Sequence, residues 1–224
     1  MEHEKYNPFK KFGVRPVINA ATCLTRLGGS ISDPSVFTAM EDASKSFVQI
    51  PELQAWAGKK IAKAMGAEAG LPTAGASNAI MLAAAACIMK GTNLEKYSPL
   101  ELETWTKIVQ KLPMHTEGLK TEFIVQKANR NVYDHSVECV GGKMIEVGSE
   151  NTTSEADLEQ AYEPTKTAGY YFTIRSPSPI PLEKVIEIAH KNHVPVIVDA
   201  ASELPPRYKL KKYISMGADL VIFS

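Results

Sequence analysis

The chain has 224 residues, 44% of them hydrophobic and 22% charged, with Lys+Arg and Asp+Glu both at 25 and a formal net charge of zero. That length allows one large domain or two small ones and is ample for a core. Zero net charge argues against a dominant electrostatic partner such as nucleic acid or an anionic membrane. Three scattered cysteines, Cys23, Cys87 and Cys139, exclude a disulfide framework or a CxxC metal pair and point to a reducing cytoplasm. The charged start, MEHEKYNPFKKFGVRPVINA, has no apolar stretch of the signal-peptide kind. No window reaches the roughly 18 apolar residues of a membrane span.

In chain order, Asp33 followed by Pro34 predicts an N-cap and first turn, opening a helix to about Val48. Pro51 opens a second helix that Gly66 stops. Leu71 to Asn78 reads as a strand end turning into an Ala-rich helix. Ser98-Pro99-Leu100-Glu101 is a capping box before an amphipathic run to about Leu112. Thr153 or Ser154 caps a helix through Tyr162, Pro181 starts another, and KLKKYISM ends at Gly217. Between these lie five strand-like runs: Phe123–Gln126, Met144–Val147, Tyr170–Ile174, Val194–Asp199 and Leu220–Phe223. The last two are continuously apolar or β-branched, as strands buried on both faces are. The alternation implies an α/β fold with a mostly parallel sheet, read as one domain.

Ligands of such sheets bind outside the carboxyl ends of the strands. Three features fall there. Gly75, Ala76 and Ser77 are small residues at a helix start, where backbone N–H groups can hold a phosphate; taken alone, the motif fits a tight turn with Ser77 as a helix cap better. Asp199 closes an apolar strand, which is costly without a partner such as a pyridinium nitrogen, a metal or an N-cap role. His135 suits stacking or acid–base work, or simple surface packing. Asp134–His135 suggests a hydrolase dyad, but no Gly-x-Ser-x-Gly elbow exists. His190 and His193 lack a third ligand and read as solvated, so no metal site is expected. Lys209, Lys211 and Lys212 read as a solvated helix face.

Taken together these pieces resemble the fold-type-I pyridoxal-phosphate (PLP) enzymes. More narrowly, they resemble the branch holding selenocysteine synthase and the D-glucosaminate-6-phosphate ammonia-lyase-like proteins. The resemblance rests on Gly13-Val14-Arg15-Pro16-Val17-Ile18-Asn19-Ala20, on Leu24-Thr25-Arg26-Leu27-Gly28-Gly29 and on Gly66-Ala67-Glu68-Ala69. It implies a three-layer large domain over residues 31–224, a leading segment over 1–30, and no C-terminal small domain within this sequence. It assigns Gly75, Ala76 and Ser77 to the cofactor phosphate and His135 to stacking on the ring. Asp199 goes to the ring nitrogen, Ala201 to the opposite ring face and Ser224 to a further phosphate contact. Arg15 and Arg26 become candidates for a substrate carboxylate or phosphate. The lysine that forms the Schiff base is expected just after Ser224.

The implied reaction is α,β-elimination from a small hydroxylated or phosphorylated amino acid or amino sugar acid, in a cytoplasmic homodimer. Residues 1–224 alone are expected to be inactive. The alternatives are selenium transfer on seryl-tRNA, disfavoured by zero net charge and by the absence of a leading tRNA domain, and a non-catalytic binding or scaffold protein. A nucleotide-binding α/β protein is the weakest reading, since no Gly-x-Gly-x-x-Gly or Walker lysine is present.

Overall fold

The computed structural model describes residues 8–21, 23–98, 101–175 and 178–224. The chain forms two compact units, Met1–Val48 and Gln49–Ser224.

The first unit holds two short 3-10 turns and helix α1, Pro34–Ala43. Asp33 caps α1 as its sequence predicts, its carboxylate accepting the Ser35 N–H at 2.9 Å. The helix stops five residues before the expected Val48. Ser44 turns its hydroxyl back to the Glu41 carbonyl at 2.7 Å, a local bond that competes with further helix.

The second unit carries α2 (Ile50–Met65), α3 (Ala76–Met89), α4 (Leu102–Val109), β1 (Glu122–Gln126), β2 (Lys143–Val147), α5 (Glu155–Gln160), β3 (Thr167–Thr173), α6 (Leu182–Lys191), β4 (Val196–Asp199), α7 (Lys209–Ser215) and β5 (Leu220–Ile222). All five expected strands form, within a few residues of their predicted ends. They pair in parallel, in the order β2-β1-β3-β4-β5. The chain moves from β1 outward to β2 and then to the other side of β1 for β3, so the order reverses between β1 and β3. In open sheets of this kind, ligands bind at the carboxyl ends beside such a reversal.

Each sheet face buries its own cluster. On one side Val185, Ile186, Ile188 and Ala189 of α6, spaced to share a helix face, cover Tyr170, Phe172, Val196 and Val198. On the other, α3 lays Ile80, Ala83, Ala84, Cys87 and Ile88 on Phe123, Val125, Tyr171 and Ile197. The alanines bring α3 close to the strands. Each large side chain so buried contributes about 1.5–3 kcal/mol. Burial also pushes the Cys87 thiol up to about 12, which leaves it an inert core residue.

Two expectations fail locally. Residues 71–74 form no strand; they are an irregular lead-in to α3, where the Thr73 hydroxyl donates to the Gly75 carbonyl at 2.9 Å. The capping box expected from Ser98 to Glu101 does not start α4. Pro99 and Leu100 lie outside the described residues, the N-cap is Glu101, and the Thr104 hydroxyl organises the turn through the Ser98 carbonyl at 2.7 Å. The Ser154 capping box, by contrast, forms with Asp157.

Candidate functional site

Asp199 ends β4 and is 6% exposed. Ile197 packs in the α3-side cluster beside Tyr171, and the strand period of two puts Asp199 and Thr173 on that same face. One carboxylate oxygen, Oδ1, accepts the Ala201 N–H at 3.0 Å, and Oδ2 accepts the Tyr171 hydroxyl at 3.4 Å. Burial raises the carboxyl of Asp199 above its ordinary value; the Ala201 N–H, the Tyr171 hydroxyl and the Asn131 amide pull it back, and the Asp134 charge adds to the rise. Among the described residues, this buried acid is held by neutral donors.

On the same sheet face, α3 begins. Gly75 is its N-cap, at φ 147° and ψ 168°, with no side-chain cap. Only glycine takes that backbone readily, and a Cβ there would meet nothing within 4 Å, so the approach to the helix start is open. The first-turn N–H groups have no intrahelical acceptors and carry the positive end of the helix dipole.

Ser77 does not cap α3; its Oγ lies 2.6 Å from Ser136 Oγ. That bond joins the helix start to the turn after β1, which carries His135. Asp134 fixes the turn. It takes Arg130 Nε at 2.6 Å, Arg130 Nη2 at 3.1 Å and the Asn131 N–H at 3.1 Å. Arg130 also reaches Glu146 at 2.8 Å. His135 is exposed, with Nδ1 2.6 Å from the Val132 carbonyl. A carbonyl only accepts, so Nδ1 carries the proton and the ring orientation is set. Asp134 is committed to Arg130, so Asp134 and His135 form no dyad.

Gly75, Ala76, Ser77, His135, Asp199 and Ala201 therefore lie together at the carboxyl side of the sheet in the second unit. Ser224, just after β5, lines with Gly75 an apolar cavity of about 800 Å³ that runs along β5 past Leu82 and Leu210. That cavity is not lined by Asp199 or His135. Arg15 and Arg26 belong to the first unit, outside the unit that builds the site.

Two surface readings are corrected. His190 is not simply solvated: its Nε2 lies 2.9 Å from Asp219 Oδ2, which also accepts the Val196 N–H. Lys209 is not a free surface cation: it pairs with Glu203 at 2.9 Å, where Tyr213 also donates. Sequence reasoning missed Asn131, Ser136, Tyr171 and Thr173 as parts of the site. The tyrosine and threonine sat in an apolar strand pattern, and nothing in the sequence linked Ser136 to Ser77, 59 residues away.

No protein-family model matches the chain. It is 31% identical over 225 aligned positions to a 5'-C-glycyluridine monooxygenase-decarboxylase from Streptomyces, covering 96% of this chain and 52% of that protein. It is 29% identical to a D-glucosaminate-6-phosphate ammonia lyase from Salmonella typhimurium, covering 97% and 56%. A solved structure of D-glucosaminate-6-phosphate ammonia-lyase superposes with a TM-score of 0.83 at 28% identity, over 98% of this chain and 57% of that one. The fold is that of the fold-type-I PLP enzymes. The chain spans about half the length of the curated relatives it matches.

The residues present suit that cofactor. The bare start of α3 offers N–H groups to a phosphate. Asp199 is a buried acid whose described partners are all neutral donors, and a protonated ring nitrogen would complete it. His135 is oriented and exposed enough to lie on a ring, and Ala201 is too small to obstruct one.

Proposed function

We propose that this chain is the cofactor-binding part of a PLP-dependent lyase acting on a small hydroxylated or phosphorylated amino acid or amino sugar acid. The observation that carries the reading is the juxtaposition of buried Asp199 with the open α3 start on one sheet face, joined through the Ser77–Ser136 bond to the His135 turn. When bound, the cofactor supplies an electron sink for negative charge developing at the substrate α-carbon. The chain's own residues set that sink up. The Gly75–Ser77 turn anchors the phosphate, and Ser224 is a further contact for it. His135 and Ala201 confine the ring from its two faces. Asp199 holds a proton on the ring nitrogen. Arg15 and Arg26 are proposed to take an anionic group of the substrate.

The amine that would bind the cofactor covalently is proposed to lie past β5. The three lysines between Asp199 and Ser224 have other surroundings. Lys209 is on Glu203, Lys212 lies over the Tyr213 ring, and the Lys211 stem packs near Gly66. Residues 1–224 would then bind the cofactor without a covalent bond. Val132 and Tyr133, 78% and 61% exposed beside His135, suit a homodimer interface there. Among the described residues no helix is long and apolar enough to cross a membrane; a cytoplasmic setting is part of the proposal.

The favoured outcome is α,β-elimination, releasing ammonia and a keto acid, in line with the Salmonella relative. The Streptomyces relative is as similar and is named for decarboxylation, so loss of carbon dioxide from the same α-carbon is the second reading. Calorimetric titration with pyridoxine 5'-phosphate, which has no aldehyde, tests the site. Affinity should fall at least tenfold in Asp199→Asn, and an unchanged affinity would overturn the reading. Borohydride reduction with pyridoxal phosphate should label no specific lysine of residues 1–224; one specific adduct would refute the placement of the amine.

A further inference from the structure

Arg175 stands just past β3, on the sheet face that holds Asp199. The Ile174 N–H donates to the Asp199 carbonyl at 2.9 Å, so extended pairing runs one residue beyond Thr173. Ile174 packs against the α6-side cluster. The strand alternation that turns Tyr171 and Thr173 toward α3 therefore carries on to Arg175. Its guanidinium agrees with that placement: Nη1 donates to the Arg130 carbonyl at 3.0 Å, in the turn that leads to His135. Among the described residues this is its only bond, and no carboxylate pairs with it. The other cations in the turn after β1 are taken. Arg130 holds Asp134 and Glu146, and Lys127 holds Glu150.

We propose that Arg175 is the specificity-determining residue of the site and takes the substrate's carboxylate. Among the described residues Asp199 has no cation and Arg175 no anion, yet the two do not pair. Register explains why. Asp199 lies opposite Thr173, and Arg175 is two residues further out, roughly 7 Å along the strand direction. A ligand that brings a cation to the first and an anion to the second would complete both. A protonated ring nitrogen and a substrate carboxylate are such a pair of charges. Arg175 is exposed, so water carries its charge until a ligand displaces it. The carboxylate is the one anion common to the proposed substrate class, since only some members carry a phosphate. Its planar oxygens also match the two-pronged edge of a guanidinium. The bond to Arg130 orders the side chain beforehand, which lowers the entropy lost on binding. Arg175 also belongs to the unit that builds the site, as Arg15 and Arg26 do not.

The inference rests on the proposed cofactor site, and its test uses two stable adducts that need no lysine. N-(5'-phosphopyridoxyl)serine carries the carboxylate; N-(5'-phosphopyridoxyl)ethanolamine is the same molecule without it. In calorimetric titration the wild type should bind the serine adduct about tenfold more tightly than the other. Arg175→Met should bring that ratio close to one. Arg175→Lys, which keeps the charge without the fork, should leave it in between. A role confined to tying β3 to the turn after β1 would weaken both adducts alike, so a ratio preserved in Arg175→Met overturns the inference. So does a wild type that binds both adducts equally, a result the cofactor reading survives. Asp199→Asn should weaken both adducts and keep the ratio. If it weakens neither while Arg175→Met abolishes the ratio, the cofactor reading fails and the carboxylate contact stands.

Discussion

Two carboxylates are buried at the carboxyl side of the sheet, and they are treated in opposite ways. Asp134, in the turn after β1, has a forked ion pair with Arg130 and a backbone N–H as well. Asp199, at the end of β4, has only neutral donors among the described residues. A buried charge with a cation is complete and works as structure. A buried charge held by neutral donors is stabilised enough to exist but has capacity for a cation, which is what a binding site requires. Burial by itself does not separate a structural acid from a functional one; the kind of partner does.

The contrast is open to attack by mutation, and the largest effect belongs to the complete pair. Asp134→Ala leaves a partly buried guanidinium on Glu146 alone and loosens the turn. Its cost should be about 3 kcal/mol, near the low end for breaking a buried pair because Arg130 is 28% exposed. Urea unfolding monitored by circular dichroism measures it. A loss below about 1 kcal/mol would mean that the pair is a surface contact in energetic terms. Arg130→Lys keeps the charge but cannot fork onto the carboxylate, and about 1 kcal/mol should go by the same assay.

The opposite sign is expected at the other acid. The folded-state titration of Asp199 lies above the ordinary carboxylate value of 3.8. Between those two points the folded protein holds more proton than the unfolded chain. Stability is therefore fully present below 3.8 and falls as pH rises through the folded value. Asp199→Asn removes that fall, so at neutral pH the variant should melt slightly higher than the wild type while binding cofactor worse. A lower melting temperature at neutral pH, with Asp199→Asn otherwise folded, would place Asp199 with Asp134 as a structural acid. The last test addresses the bond between the two halves of the site. Ser136→Ala breaks one part-buried hydroxyl–hydroxyl bond and should cost about 1 kcal/mol by thermal melting. It should weaken pyridoxine 5'-phosphate more than unphosphorylated pyridoxine.

Much of this was legible in the residues themselves. Strands announced themselves because a strand buried on both faces reads as a continuous apolar run, as Val196–Val198 does; Leu220–Ile222 is equally apolar but is a half-buried edge strand. The acid at the end of an apolar run could be picked out because a charge there is expensive. Gly75 to Ser77 stood out because small residues at a helix start leave the backbone open. Local competition was harder to read. The helix after Asp33 ended early because of a serine hydroxyl, and residues 71–74 lacked a neighbour to pair with. Neither outcome is written in hydrophobic periodicity.

What the sequence determined alone was the alternation of elements, the parallel sheet and the residues whose chemistry is costly to bury. Those depend on local propensity and on burial patterns that repeat every two or 3.6 residues. Tertiary structure alone decided which acid is satisfied. Arg130 lies four residues from Asp134, but the hydroxyl that Asp199 accepts besides the local Ala201 N–H comes from Tyr171, 28 positions back in the chain. Only parallel pairing of β1, β3 and β4 brings those carboxyl ends side by side, and hydrogen bonds act over a few ångströms in space whatever the distance along the chain.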